Sequence, residues 1–568
     1  MDLASTLGVL LSIIQAIDAV PLVESKELTG VNIYEIDEMK KTSASLETLP
    51  GPEQKSNATS DDIFAKILEA NKDSNILLRE GDIALRRERS AIPCCRWPKS
   101  SDGAVYVAYK LSPSYVERER AMINAALEEL MTLTCVRFVK QKQESDYVSI
   151  EPGSGCWSVI GKTRGSQVVS LSRAGCMWHG IIQHEVLHSL GFIHEHNRSD
   201  RDDYVDIIYK YIRADERDNF NKMPTNNLGL QYDYSSVMHY GRYAFSNTSD
   251  QATIIPKPNP AVEIGQRYGV SNLDVAKLNR LYQCDVCSSV LSKANGSLTS
   301  ANYPSPYPNN SSCVWLIRLP SGQVSLYFNA FDVQSSKNCA SDYIRVYDGA
   351  TRSSPLLLEK ACGTGPLPPL IASKHLMLLE FVSDGAMNGM GFKAAYSTVT
   401  CGGTFSKDNG NVTSPGFPFN YPNNANCIFS IIAPADHKIS LKFTDFQMEY
   451  TSDCAGASDY LSVYDGSALT SSLLGKFCSF TELPAPVKST GNYLLLQFNS
   501  DVWINDKGFR AEYSFVCVPV FVSYQRRQAQ RADGLYLPPG QDDISPPLLA
   551  WRNLSGLHGA LKLTPLEH

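Results

Sequence analysis

His184 and His188 stand four residues apart, with Glu185 directly after the first. Positions i and i+4 of a helix share a face, so both imidazoles can reach one metal ion while the carboxylate lies beside it without being needed as a ligand. This is H-E-x-x-H, an arrangement that binds zinc and supplies a general base. Ile182, Val186, Leu187 and Leu190 fall on the opposite arc, which predicts a helix with one packing face and one chemically loaded face. Gly191 permits a left-handed turn that ends the helix and brings His194 round as a third nitrogen ligand. Three histidines leave a coordination position open, the mark of a catalytic rather than a structural zinc. Zinc there would bring the pKa of a water toward ~7 and polarise a carbonyl, and Glu185 would take the proton and return it to a leaving amine. The chemistry is hydrolysis of a peptide bond.

Downstream, Ser236-Val237-Met238-His239-Tyr240 supplies a Met turn, and the extended motif with such a turn is the metzincin signature. The continuation His194-Glu195-His196-Asn197-Arg198, with Ser-Val-Met-His-Tyr, resembles the astacin family specifically. The resemblance implies that Tyr240 is a further zinc ligand that swings away to hydrogen-bond the oxyanion, and that Glu195 pairs with the N-terminus created by processing. Met238 contributes a pliable thioether, an apolar floor under the metal. Astacin zymogens carry a Phe-x-Gly-Asp switch, and Arg79-Glu80-Gly81-Asp82 resembles it with Arg79 in place of Phe. Asp82 is therefore expected to hold the zinc in the zymogen, with Gly81 allowing close approach. The resemblance also implies disulfides Cys135–Cys284 and Cys156–Cys176. Adjacent Cys94 and Cys95 fall outside that set, and with Cys517 they make the cysteine total odd.

These residues need elements to hold them. At 568 residues the chain is too long for one core, and roughly three to five domains are expected. Residues 1–19 read as a secretory signal peptide: residues 5 to 17 are apolar but too short to span a membrane. Residues 20–89 read as a propeptide, polar at first, with Ser60-Asp61-Asp62 available to cap a short helix from Ile63 to Ala70. Arg86-Arg87-Glu88-Arg89 is a processing signal that predicts cleavage at Arg89–Ser90 by an activating protease. Residues 90–286 form a protease-sized domain with strands at 105–109, 135–139, 147–150 and 165–171, and a helix over 114–131. This order implies a twisted mixed sheet with helices behind it, split by a cleft at the zinc. The resemblance implies an α+β metzincin (astacin-like) fold whose active-site cleft is edged by the last strand before the zinc helix, along which a peptide lies antiparallel.

A repeat takes over at Cys287. Asp342-Tyr-Ile-Arg-Val-Tyr-Asp-Gly349 is echoed by Asp459-Tyr-Leu-Ser-Val-Tyr-Asp-Gly466, within a matching cysteine pattern. Alternating β-branched and aromatic runs predict two all-β sandwiches, 287–398 and 401–515. They resemble CUB domains, which implies the bridges Cys287–Cys313, Cys339–Cys362, Cys401–Cys427 and Cys454–Cys478. Many CUB domains hold calcium through one Glu and two Asp, matched in the second copy by Glu449, Asp459 and Asp501. In the first copy Gln334 stands where the Glu would be, beside Asp342 and Asp384, so calcium is expected only in the second. Residues 516–568, with paired prolines, read as a disordered tail.

A net charge of -7 and the lack of a basic block exclude nucleic acid as partner, and no stretch is long enough for a membrane span. Many cysteines and Asn-x-Ser/Thr sites at Asn57, Asn197, Asn247, Asn295, Asn309, Asn310, Asn411 and Asn553 fit a secreted glycoprotein. The reading is a secreted, extracellular zinc endopeptidase, held in secretory granules before release, with one zinc per chain. Its partner is an extracellular protein substrate recognised through the CUB pair. Module order resembles embryonic hatching enzymes that digest an egg envelope. The alternatives are tolloid-like processing of matrix or growth-factor precursors, whose usual EGF-like modules are absent, and a latent protease acting as a CUB-mediated binding protein.

Overall fold

The structure, a computed structural model, describes residues 62–85, 96–266, 268–386, 388–449, 454, 459–478 and 483–517. The signal-like stretch, the start of the pro-segment, the Arg89–Ser90 junction, Cys94, Cys95 and the tail beyond Cys517 lie outside the described residues.

The first domain is built on seven strands: β1 (Leu78–Arg79), β2 (Ile83–Ala84), β3 (Val105–Leu111), β4 (Val136–Lys140), β5 (Tyr147–Glu151), β6 (Cys156–Ser158) and β7 (Ser166–Leu171). Their spatial order is β1-β2-β6-β7-β5-β3-β4. β3, β4, β5 and β7 run parallel, and a parallel sheet needs cover on its faces. Four helices accompany it: α1 (Ile63–Asn71), α2 (Glu117–Leu133), α3 (His179–Ser189) and α4 (Asn272–Leu281). A small antiparallel ribbon, β8 (Val205–Ile207) with β9 (Ile254–Pro256), lies between the last two helices in the chain.

Among the described residues, three of the four α-helices begin at a local hydrogen-bonded cap; the zinc-motif helix, after Trp178, has no side-chain cap. Asp62 caps α1 by accepting from the Ala65 amide at 2.6 Å, as its position before the apolar run predicts. Ser271 and Asp274 form a reciprocal capping box on α4. The predicted 114–131 helix starts later, at Glu117, because Glu119 reaches back to accept from the Val116 amide at 2.9 Å. Val116, expected on the apolar side, is exposed at this cap; Ile123, Ala126, Leu127 and Leu130 do enter the core.

Two expectations need correction. The zinc-motif helix α3 is buried from Gly180 to Ser189, so its loaded face is covered as fully as its packing face. The cover comes from far away in sequence, namely α1 and the β1–β2 turn, which no periodicity within the helix can reveal. Nor is β7 the cleft edge, since it is flanked by β5 and β6. Beyond β7 comes β6, and β2 lies parallel to it through Ile83 and Ser158, so that side of the sheet ends at β1. Three residues after a Gly-Ser-Gly turn are too few to show an alternating pattern.

The repeats are two-sheet sandwiches. In the first, β10 (Cys287–Leu291), β11 (Asn295–Thr299), β12 (Ser312–Arg318), β13 (Gln323–Val333), β14 (Tyr343–Tyr347), β15 (Leu356–Ala361), β16 (Gly363–Thr364), β17 (Leu370–Ile371), β18 (Leu376–Val382) and β19 (Gly391–Val399) make sheets ordered β10-β12-β18-β14-β15 and β11-β19-β13-β16, with β17 against β13. The second repeats that order, and its last strand, Gly508–Cys517, outruns the expected boundary. Alternate side chains such as Trp315, Ile317 and Phe381, or Phe429, Ile431 and Phe498, fill the two cores. All six expected disulfides are present. Cys517 is the free cysteine among the described residues, with Sγ 3.1 Å from His437 Nε2.

Cys135–Cys284 closes a separation of 149 residues, joining the entry of β4 to the segment after α4. Replacing both cysteines with alanine is expected to cost about 2–5 kcal/mol. Denaturant unfolding of the full chain checks this, and an unchanged midpoint would contradict it.

Candidate active site

The end of α3 has the geometry that Gly191 predicts. Gly191 sits at φ 103°, the Phe192 amide donates to Leu187 O at 3.1 Å and the Gly191 amide to His188 O at 2.9 Å, a Schellman closure. The chain then returns His194 to the other two imidazoles. Each ring is oriented through Nδ1: His184 to Val237 O at 2.8 Å, His188 to Phe192 O at 2.7 Å, His194 to the Glu80 carboxylate at 3.0 Å. Holding Nδ1 by an acceptor leaves Nε2 as the free electron pair. The Nε2 atoms of His184 and His188 are 3.2 Å apart.

Asp82 enters this group from the β1–β2 turn. Its Oδ2 is 3.0 Å from His184 Nε2 and 3.2 Å from His194 Nε2, and its Oδ1 is 3.5 Å from His188 Nε2. All four residues are buried, their ligand atoms lie within 4.8 Å of one another, and Asp82 Oδ1 has no hydrogen-bond partner. Three nitrogen donors and a carboxylate suit zinc in number and kind. Burial lowers His184 to about 4, so that ring is neutral, as a ligand must be. Burial also acts on His194, but the Asp82 and Glu80 carboxylates outweigh it and lift the ring to about 9. The cluster thus gathers positive charge around Asp82, the place a divalent cation would take.

Glu185 is buried with neither carboxylate oxygen hydrogen-bonded. Burial, then the charge of Asp82, pushes its pKa well above the ordinary carboxylate range. Tyr240 is also buried, and its hydroxyl donates to the backbone oxygen of Glu80. The Phe64 ring from α1 stacks on it at 3.6 Å. Arg79, standing where the astacin switch has Phe, turns to Met223 Sδ and to the Glu80 carboxylate. The aromatic contact comes instead from Phe64, which also crowds Gly81: a Cβ there would meet Phe64 at 2.9 Å and Leu68 at 2.8 Å. Sequence reading passed over Phe64 and Glu80. The second had a signal, a carboxylate two residues from Asp82; the first is one apolar residue of a short helix.

Behind the histidines, Met238 is buried and its carbonyl accepts from the Glu195 amide at 2.9 Å. The Glu195 carboxylate meets Lys277 Nζ at 2.5 Å, Arg198 Nη1 at 3.2 Å and the Asp233 amide at 2.9 Å. Burial raises its pKa, and Lys277 and Arg198 pull against that. In this structure its charge is matched by α4, and the Ser90 terminus it was expected to meet lies outside the described residues. Asn197 is buried, with its amide on the Asn219 and Asn221 carbonyls, so it is no acceptor for glycan in this fold.

A family model for the astacin peptidases matches residues 94–283, and one for the CUB domain matches 287–396 and 401–513. Embryonic protein UVS.2 of Xenopus laevis is 50% identical over 457 residues, 80% of this chain and 88% of that protein. The chain belongs to the astacin family. It is a zinc metalloendopeptidase by descent, followed by two CUB domains. The astacin-like metalloendopeptidase of Gallus gallus is 52% identical over 59% of this chain and 83% of its own length. Among solved structures, high choriolytic enzyme 1, a hatching enzyme zinc-protease from Oryzias latipes, is 47% identical over 34% of this chain and 100% of that chain, with a TM-score of 0.33.

In the second CUB domain Glu449, Asp459 and Asp501 bring ligand atoms within 4.8 Å of one another, and Glu449 Oε2 and Asp459 Oδ2 are buried without partners. Burial raises both carboxyls. In the first CUB domain Asp342 accepts from Tyr307 and from the Asp384 amide, and Gln334 Oε1 is the buried unpartnered atom.

Lys277→Met is expected to lower stability by about 3–5 kcal/mol, because Glu195 would stay buried with one cation fewer. Denaturant unfolding measures it, and a loss under ~1 kcal/mol, the level of a surface pair, would show the pair to be unimportant.

Proposed function

We propose that the chain is a secreted endopeptidase made as a zymogen, holding one zinc through His184, His188 and His194, and acting on extracellular protein, specifically egg-envelope protein. The observation that carries the reading is the convergence of three Nε2 atoms and the Asp82 carboxylate on one buried point beside Glu185. Zinc bound there supplies Lewis acidity toward the scissile carbonyl and a water acidic enough to attack near neutral pH. Glu185 is the general base. Its oxygens have no competing hydrogen bond and its pKa is raised by burial, so it can take a proton from the attacking water and pass it to the leaving amine.

Asp82 is the latency ligand. It occupies the side of the histidine cluster that a substrate carbonyl would use, Glu80 holds His194, and Phe64 clamps Tyr240 against the pro-segment. Cleavage at Arg89–Ser90 frees these groups together, releasing the Tyr240 hydroxyl to donate to the oxyanion and baring β6 as an edge for an extended peptide. The kinship with the embryonic protein UVS.2 and the protease-then-CUB order support an envelope substrate. The second CUB domain takes calcium through Glu449, Asp459 and Asp501. Exposed Asn247, Asn295, Asn309, Asn310 and Asn411 are the glycan acceptors.

The test compares cleavage of casein and of egg-envelope protein by the processed chain, by Glu185→Ala and after chelation. Glu185→Ala is expected to lose about 10²–10⁴-fold, and chelation to abolish turnover; the same background in all three would end the enzyme reading. Asp82→Ala in the unprocessed chain is expected to raise its residual activity about tenfold or more, since loss of one charge-assisted contact of ~1.5–3 kcal/mol corresponds to that factor. Calcium is expected to raise the melting temperature of the full chain, and Asp459→Asn to remove that shift.

A further inference from the structure

Glu129 lies on α2, is 1% exposed, and is unrelated to any ligand or base of the active site. An isolated carboxylate so deep in apolar surroundings is costly, and removing a partner from it more so. Its Oε1 accepts from two groups of very different origin. One is Gln183 Nε2, at 2.8 Å, on the zinc helix one residue before His184. The other is Arg318 Nη2, at 2.5 Å, from the last residue of β12 in the first CUB domain. His179, at the first turn of the zinc helix, meets Oε2 at 3.1 Å. The same two side chains then grip the backbone of one residue on both its polar groups: Gln183 Oε1 accepts from the Val270 amide at 2.8 Å, and Arg318 Nη1 donates to Val270 O at 2.9 Å. Gly269 beside it leaves no spare room, since a Cβ there would meet Gln183 Oε1 at 2.7 Å.

The arginine arrives on a face committed to the protease. Along β12, Cys313, Trp315 and Ile317 enter the CUB core, while Val314 and Leu316 join the apolar cluster that contains Ile182, Val186 and Leu278 of the astacin domain. Val290, Tyr347 and Leu378 of the CUB domain join it too. The second CUB domain supplies an internal control. Its matching strand, Asn426–Ile432, keeps Cys427, Phe429 and Ile431 inward but has Ser430 and Ile432 where the first has Leu316 and Arg318. The sandwich itself does not require the arginine.

We infer that Arg318 of the first CUB domain is a positioning residue for the peptidase, completing a buried Glu129–Gln183 network that fixes the zinc-binding helix. The inference rests on the zinc-peptidase reading, and it makes the first CUB domain part of the catalytic unit in addition to any role in choosing substrate. Arg318 touches neither substrate nor zinc. Its loss leaves the Glu129 charge with His179 alone, frees Gln183 to follow it, and loosens the turn that carries His184.

The experiment uses the full processed chain, a short internally quenched peptide too small to reach the CUB surfaces, and three variants: Arg318→Met, Glu129→Gln and the double variant. Arg318→Met is expected to lower kcat about ten- to hundredfold, the cost of a small displacement of a reacting group, with KM within about twofold. Zinc loss to a chelator and amide exchange over 179–190 in the zinc-free protein are both expected to quicken about tenfold, as for a shift of 1.4 kcal/mol. Neutralising both partners in the double variant is expected to restore all three to within about threefold of the unaltered chain, because the buried unpaired charge is gone. If Arg318→Met leaves kcat, zinc loss and exchange over 179–190 unchanged, or if the double variant is no better than Arg318→Met, the inference falls. If the unaltered chain cleaves nothing, the peptidase reading fails, while amide exchange in the zinc-free variants still decides the coupling.

Discussion

Three imidazoles can offer their lone pairs to one point only if something else holds the far side of each ring. In this chain the holders are the Val237 carbonyl of the Met turn, the Phe192 carbonyl just past the helix, and the Glu80 carboxylate of the pro-segment. The convergence of donors drives much of the surrounding structure. A helix buried on every side must have its polar groups answered one by one, and the answers come from α2, the β1–β2 turn, the Met turn and the Val270 backbone.

Two buried carboxylates illustrate how that concentration of charge is handled. Glu195 sits behind His194 and is matched by Lys277 of α4 and by Arg198. Glu129 sits behind the start of α3 and is held well below the ordinary carboxylate range: burial opposes this, but the Arg318 guanidinium and His179 outweigh it. In each case one cation, Lys277 or Arg318, comes from an element remote in sequence, so each pair ties the surroundings of the zinc motif to a different part of the molecule. Glu185 is the exception, buried with no hydrogen-bond partner at all, and a group left so is available for chemistry.

The pro-segment shows one contact made by different means. The astacin switch is expected to seat an aromatic residue three places before its aspartate, where this chain has Arg79. In this chain Phe64 of the preceding helix stacks on Tyr240 and crowds Gly81, while Arg79 turns to Met223 and Glu80.

What could be read from the residues alone was whatever short spacing controls. The i, i+4 histidines, the turn at Gly191, the cap within Ser60 to Asp62, and the doubled cysteine and Asp-Tyr pattern each depend on a few neighbouring residues, and they located the zinc helix, the start of α1 and the two sandwiches. Resemblance carried the disulfides and Asp82. The tertiary structure decided the rest. It buried the loaded face of the helix, placed β6 and β2 outside the strand expected at the edge, and brought Glu80, Phe64 and Arg318 to the surroundings of the site. Periodicity reports which way a side chain points from its own backbone. It carries no record of what stands opposite, and Glu129 and Arg318 meet across 189 residues only because two folded surfaces pack.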